Sequence, residues 1–191
     1  MSVSTKLSRK EMQQRERGRR KLIWRLIWSA VIALIVVGFG YKIWQSSQPK
    51  LGVAVPEMAA QHIKDGEQHE KYNSDPPTSG PHYAQPTKAG FYDEALPDET
   101  LVHNLEHGYV VIWYNCTGLD DKACSTLKTK IHEVMDSAGR TKLIAVPRPS
   151  LSGLIAATTW GRLYKSETFN ADELLEFIKE FRYKAPEPSA P

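Results

Sequence analysis

Apolar and polar positions change rhythm several times along the chain, and each rhythm predicts an element. Residues 22–44, LIWRLIWSAVIALIVVGFGYKIW, carry no charge between Leu26 and Tyr41. At the helical rise, the 23 residues of this run cover the roughly 30 Å of a bilayer's hydrocarbon. Trp24 and Trp28 mark one end and Tyr41 and Trp44 the other, where amphipathic rings settle at headgroups. Further on, PDETLVHNLEHG predicts a helix over 98–107, with Asp98 as cap, Glu99 in the first turn and Gly108 as the left-handed stop. YVVIWY, residues 109–114, is a continuous β-branched and aromatic run and predicts a buried strand. In LDDKACSTLKTKIHEVMDSAG, Leu127, Ile131, Val134 and Met135 recur at helical spacing, and Gly139 ends the pattern. LIAVPRP, residues 143–149, predicts a strand broken at Pro147, and IAATTWGRLYK, residues 155–165, a third. Asn170 and Glu173 form a capping signal for ADELLEFIKEFRY, with Leu174, Leu175, Phe177, Ile178 and Phe181 on one face.

The order is helix, strand, helix, strand, strand, helix. A strand–helix–strand crossover implies two parallel neighbours. The last two strands, joined near PSLSG, are expected to pair antiparallel. The fold class is α+β: a small mixed sheet with packed helices, faintly thioredoxin-like, preceded by one transmembrane helix. The active-site dithiol of thioredoxins is missing, so that likeness carries no function. Residues 72–97 hold Pro76, Pro77, Pro81, Pro86 and Pro97 with Gly80 and Gly90, which excludes a helix or an inner strand there. Tyr72, Tyr83, Phe91 and Tyr92 are spaced along it, so this long connection is expected to pack onto the domain. The predicted organisation is a basic tail over 1–21, the membrane helix over 22–44 and a linker over 45–56. An exported domain over 57–184 and a polar, Pro-rich disordered tail over 185–191 complete it.

Charge sharpens the picture. The net +3 hides nine Lys/Arg against two Glu in residues 1–25, and an excess of Asp/Glu in residues 45–191. A basic tip on an acidic body argues against nucleic acid as a partner. Cations before the apolar run keep the N-terminus cytoplasmic and send the remainder across the plasma membrane, a single-pass topology with the bilayer as partner. A cleaved signal peptide is the rival reading, but no small-x-small cleavage site follows the apolar run at the right distance. Cys116 and Cys124 predict a structural disulfide in an exported domain, since their spacing is not that of a C-x-x-C redox pair. Asn115-Cys116-Thr117 fits the N-glycosylation pattern.

The candidate chemistry is imidazole. On a helix, His103 and His107 project from one face a turn apart, so their nitrogens can converge on one ion. His82 stands in PPTSGPHY and His69 in GEQHEKY, giving a third and a fourth candidate ligand. Histidine clusters favour transition metals such as zinc or copper over magnesium or calcium. Glu106 is expected beside the metal as a partner or base rather than as a sure ligand. His103-Asn104-Leu105-Glu106-His107 also fits H-x-x-E-H, in which the glutamate polarises a metal-bound water. Each histidine taken alone reads as a hydrogen-bonded ring in a half-buried loop, and it is His82, His103 and His107 together that raise a shared site as the alternative. No phosphate-binding G-x-x-x-x-G-K-[ST] run occurs.

YNSDPPTSGPHY, the Gly90-Phe91-Tyr92 step and LVHNLEHGYVVIWY closely resemble the domain-of-unknown-function 3105 family. Its members are typically bacterial proteins with one N-terminal membrane segment and an exported domain. The resemblance spans residues 60–180, roughly, and implies that His69, the block ending at His82, and H-N-L-E-H-G with His103 and His107 belong to the family pattern. The cysteine pair is not assigned to that pattern, and no activity is implied.

These observations lead to three function classes. The first is a membrane-anchored extracytoplasmic domain binding copper or zinc through His82, His103 and His107, with His69 as a further ligand. The second is a zinc-dependent hydrolase with Glu106 as base. The third is a metal-free surface module whose Pro-rich loop docks a protein partner.

Overall fold

The structure, a computed structural model, describes residues 9–46 and 51–190. Residues 1–8 of the basic tail, residues 47–50 of the linker and Pro191 lie outside the described residues. The chain divides into two units, residues 1–49 and residues 50–191.

The first unit is one helix, α1, Arg9–Ser46. Within it, Arg17–Trp44 is long and apolar enough to cross a membrane, and its apolar side chains are exposed throughout. With 38 residues it is about 57 Å long at the helical rise. The hydrocarbon-matched part is therefore flanked by a basic helical stretch in the same rod.

The second unit is a mixed α+β domain. It begins with β1 (Val53–Ala54) and β2 (Gln61–Ile63), then β3 (Pro81–Tyr83) and β4 (Gly90–Phe91). Helix α2 (Asp98–Glu106) leads into β5 (Val110–Tyr114), α3 (Asp121–Ser137) and β6 (Leu143–Pro147). A hairpin of β7 (Ile155–Thr159) and β8 (Arg162–Ser166) precedes α4 (Ala171–Phe181). The main sheet has the order β1-β8-β7-β5-β6-β4, and β2 and β3 form a separate parallel pair. As the crossover through α3 predicts, β5 and β6 are parallel.

Strand β5 is the middle of the domain, and all five of its residues are buried. Its alternation feeds two cores, since successive strand side chains point to opposite faces. Val110, Ile112 and Tyr114 pack with Leu127, Ile131 and Met135 of α3 and Leu174, Phe177 and Ile178 of α4. Val111 and Trp113 pack with Leu101, Val102 and Leu105 of α2. The α2 helix is thus held against the sheet face opposite α3 and α4. Trp113 Nε1 donates to Thr158 Oγ1 at 2.9 Å, so the indole on β5 is satisfied by its neighbour β7.

Several expectations need adjustment. The run 155–165 is two strands, because Gly161 (φ +68°) turns the chain after Trp160. Strands β6 and β7 are not neighbours; both flank β5, and the antiparallel partners of β7 are β5 and β8. Pro97 occupies the cap position of α2 without a side-chain hydrogen bond. Asp98 instead opens the helix and binds Arg148 through Nη1 at 2.7 Å and Nη2 at 3.0 Å. Val53 and Ala54, within the expected linker, pair with β8 and belong to the sheet. Asn170 caps α4 as predicted, accepting from Asp172 N and Glu173 N, and Asp120 caps α3 by accepting from Ala123 N. Cys116 and Cys124 are disulfide-bonded across the connection from β5 into α3.

The Pro-rich loop packs, as its aromatics predict. Thr78 and Ser79 are fully buried. Thr78 O accepts from Gly161 N at 3.1 Å, Ser79 Oγ from Met58 N at 2.9 Å, and Tyr72 Oη donates to Pro81 O at 2.6 Å. Gly80 has φ +124° and lies under the Tyr72 ring, 3.1 Å from where a Cβ would sit. A side chain there would meet both a backbone and a packing obstacle.

Candidate metal centre

Three segments meet on the α2 side of the sheet. Helix α2 and its C-cap present His103 and His107 one turn apart, with Glu106 next to the second. The Pro-rich loop delivers His82 through β3, and β2, paired with β3 in register, sets His62 opposite His82. The possible ligand atoms of His62, His82 and His103 lie within 4.8 Å of one another, as do those of His103, Glu106 and His107. His103 is common to both groups. His82, His103, Glu106 and His107 are buried, while His62 is exposed. The arrangement is a covered set of donors with one imidazole at its open side.

Hydrogen bonds fix which nitrogen of His82 and of His103 is available. His82 Nδ1 lies 2.8 Å from Gly80 O, and His103 Nδ1 lies 2.6 Å from Tyr83 O. A carbonyl only accepts, so both Nδ1 atoms carry the proton. In the neutral rings both Nε2 atoms are then bare lone pairs. His103 Nε2 faces His107 Nε2 at 3.0 Å. His82 Nε2 is buried without a hydrogen-bond partner, although Glu106 Oε2 lies 3.0 Å away. That oxygen is close but out of the line a hydrogen bond needs. Burial pushes the His103 imidazolium below its usual range, outweighing the opposing effect of the Tyr83 carbonyl. The neighbouring rings of His107, His82 and His62 push in the same direction as burial. Burial thus favours the neutral form of His103, in which the Nδ1 proton held by Tyr83 O leaves Nε2 bare.

This is the local chemistry of a ligating histidine, whose second nitrogen is held by a carbonyl while the first is left basic. Donors each about 2.0–2.1 Å from a tetrahedral zinc ion lie roughly 3.3 Å apart. The 3.0 Å between His103 and His107 and the 3.0 Å between His82 and Glu106 are near that spacing. With His103 Nε2 bare, the His103–His107 contact is a hydrogen bond donated by His107 Nε2, and a cation bound between these nitrogens would displace that proton.

His69 does not join them. Its Nδ1 lies 2.6 Å from Glu70 O, its Nε2 lies 3.1 Å from Glu99 Oε1, and its ring tilts on Tyr72 at 4.9 Å. His132, on α3, stacks on Phe91 at 4.2 Å. Of the residues named from the sequence, His82, His103, His107 and Glu106 come together and His69 stands apart. His62 takes a place that sequence reasoning did not assign. The available signal was its position in QHI, a short alternating stretch, but its pairing with PHY is a tertiary fact.

The fold and site define a mixed α+β domain with a buried His/Glu group able to hold a metal ion, on a chain with one apolar N-terminal helix fit for a membrane anchor or a signal sequence. The chain belongs to the family described as protein of unknown function (DUF3105), whose model matches residues 62–191. No curated protein and no solved structure matches it.

Proposed function

We propose that the domain binds a divalent transition metal ion, zinc or copper(II), through Nε2 of His82, His103 and His107 with the Glu106 carboxylate, and that His62 closes the open side. The observation that carries this reading is the pair of buried imidazoles, His82 and His103, whose Nδ1 protons are committed to main-chain carbonyls. The donors are nitrogen and oxygen without a thiolate or thioether among them, which suits Zn(II) or Cu(II) over Cu(I). In this reading α1 anchors the domain in the plasma membrane, with the basic residues cytoplasmic and the metal site outside. The disulfide fits the same oxidising side.

Metal analysis of the detergent-solubilised chain after exhaustive dialysis tests the proposal. One equivalent of zinc or copper is expected on the wild type, a loss of stoichiometric metal in His82→Ala and His103→Ala, and retention in His69→Ala. Background metal in the wild type would refute it.

A second reading is a zinc-dependent hydrolase in which Glu106 is the general base. It is favoured by the position of the Glu106 carboxylate within the same 4.8 Å group as His103 and His107. Glu106→Gln separates the two. A base lost from an intact metal site leaves metal content unchanged and removes turnover of ester and peptide substrates, whereas a lost ligand weakens metal retention.

A further inference from the structure

The C-terminal segment after α4 is Pro-rich and, by composition, expected to be disordered, yet residues 183–190 run back onto the metal centre. Tyr183 adopts φ +71° and redirects the chain after α4. Its N–H donates to Gly108 O at 2.9 Å, and its Cα lies 2.8 Å from where a Gly108 Cβ would sit. Ala185 packs against the core on the α2 face. Glu187 N donates to Glu106 O at 3.0 Å. Lys142 fastens the end: its Nζ donates to His107 O at 2.7 Å, to Pro188 O at 3.0 Å and to Ala190 O at 2.6 Å. One ammonium thus joins the end of α2 to the tail. The result is a carboxylate at the centre, with Glu187 Oε2 3.7 Å from His107 Nε2.

We propose that this segment is a strap that supplies Glu187 as a further ligand to the ion, and that its docking sets how fast the ion is exchanged. The inference rests on the metal-binding reading above and names the residue that governs release. One observation and one charge argument carry it. Glu187 lies within a small side-chain movement of the nitrogen that His107 offers, while its main chain is already fixed on Glu106. With Glu106 and Glu187 both ligating, two carboxylates balance the charge of a divalent ion, and neutral imidazoles complete the set. A tethered carboxylate also returns to the ion at a high effective concentration, so it slows escape more than a free anion does. The proline content of KAPEPSAP lowers the entropy lost when the strap docks. The family match extends to residue 191 and so includes the strap.

The test uses the full-length chain in detergent, loaded with one equivalent of Zn(II), with release followed by an excess of a chromophoric chelator. Glu187→Gln is expected to bind zinc one to one and to release it about 10- to 100-fold faster, the range typical when a supporting group at a metal site is removed. Lys142→Met leaves the carboxylate but loosens the strap, and is expected to speed release as well. The Glu187 side chain is 60% exposed, so the metal-free melting temperature of Glu187→Gln should equal that of the wild type. Equal release rates for wild type and Glu187→Gln, both at one zinc per chain, would overturn the strap and leave the binding site standing. Absence of zinc from the wild type would overturn both.

Discussion

Asn104 sits between His103 and His107 in the sequence, yet its side chain turns away from them onto the Pro-rich loop. Its Oδ1 accepts from Thr87 N at 3.0 Å and its Nδ2 donates to Thr87 O at 2.8 Å, while Leu105 goes into the core. The positions of HNLEHG therefore divide the work among them. His103 and His107 face the centre, Glu106 meets His82, and Gly108 (φ +81°) ends the helix and admits the strap. Asn104→Ala is expected to cost about 1–3 kcal/mol, from two lost hydrogen bonds with a half-buried partner, read as a shift in the denaturant midpoint. Gly108→Ala should cost at least about 1–2 kcal/mol for the left-handed backbone alone, and more because a Cβ there collides with Tyr183. A variant melting with the wild type would contradict both arguments. The site was half legible in the sequence for a physical reason. Helical spacing places His103 and His107 together whatever the rest of the fold does. The roles of His62 and His69 depend on which loop lies beside which, and nothing local in QHI or EQHEK states that. Nor does the sequence say that Glu99 is near enough to hold His69.

At the level of elements, long amphipathic segments announced themselves and short ones did not. Helices α3 and α4 appear where their apolar spacing and capping residues put them, because their buried faces are set by a repeat of several turns. Strands β1 to β4 have two or three residues each, too few for a periodicity to form. Their pairing is decided by tertiary packing, for example of β4 along β6. The apolar run through Trp160 concealed a turn because Ala, Thr and Trp suit a strand on either side of it. Gly161 was the sole mark. The disulfide belongs to this scale: Cys116 and Cys124, eight apart in sequence, staple the end of β5 to the first turn of α3. Replacing both by serine should lower stability by about 2–3 kcal/mol, the chain-entropy value for so short a loop. The same substitution should leave metal content unchanged, since the cysteines ligate nothing in the proposed centre. Loss of metal along with the disulfide would place them in the site after all.

For the whole molecule, the proposed metal site would link ion binding to folding by mass action. An ion bound only by the native domain adds about 2.7 kcal/mol at a hundredfold excess over its dissociation constant. The melting temperature should therefore rise with added Zn(II), fall on chelation and become insensitive to both in His82→Ala. A wild-type melt unmoved by zinc and chelator would favour a metal-free partner-binding module instead. The main sheet carries a separate consequence at its two margins. Both outermost strands, β1 and β4, are only two residues long. Long unpaired margins invite a neighbouring chain to add its own strand. If α1 serves as an anchor, tethering would concentrate many copies in a plane, where such encounters are frequent. The outermost strands themselves offer such a neighbour a ladder of only two residues each.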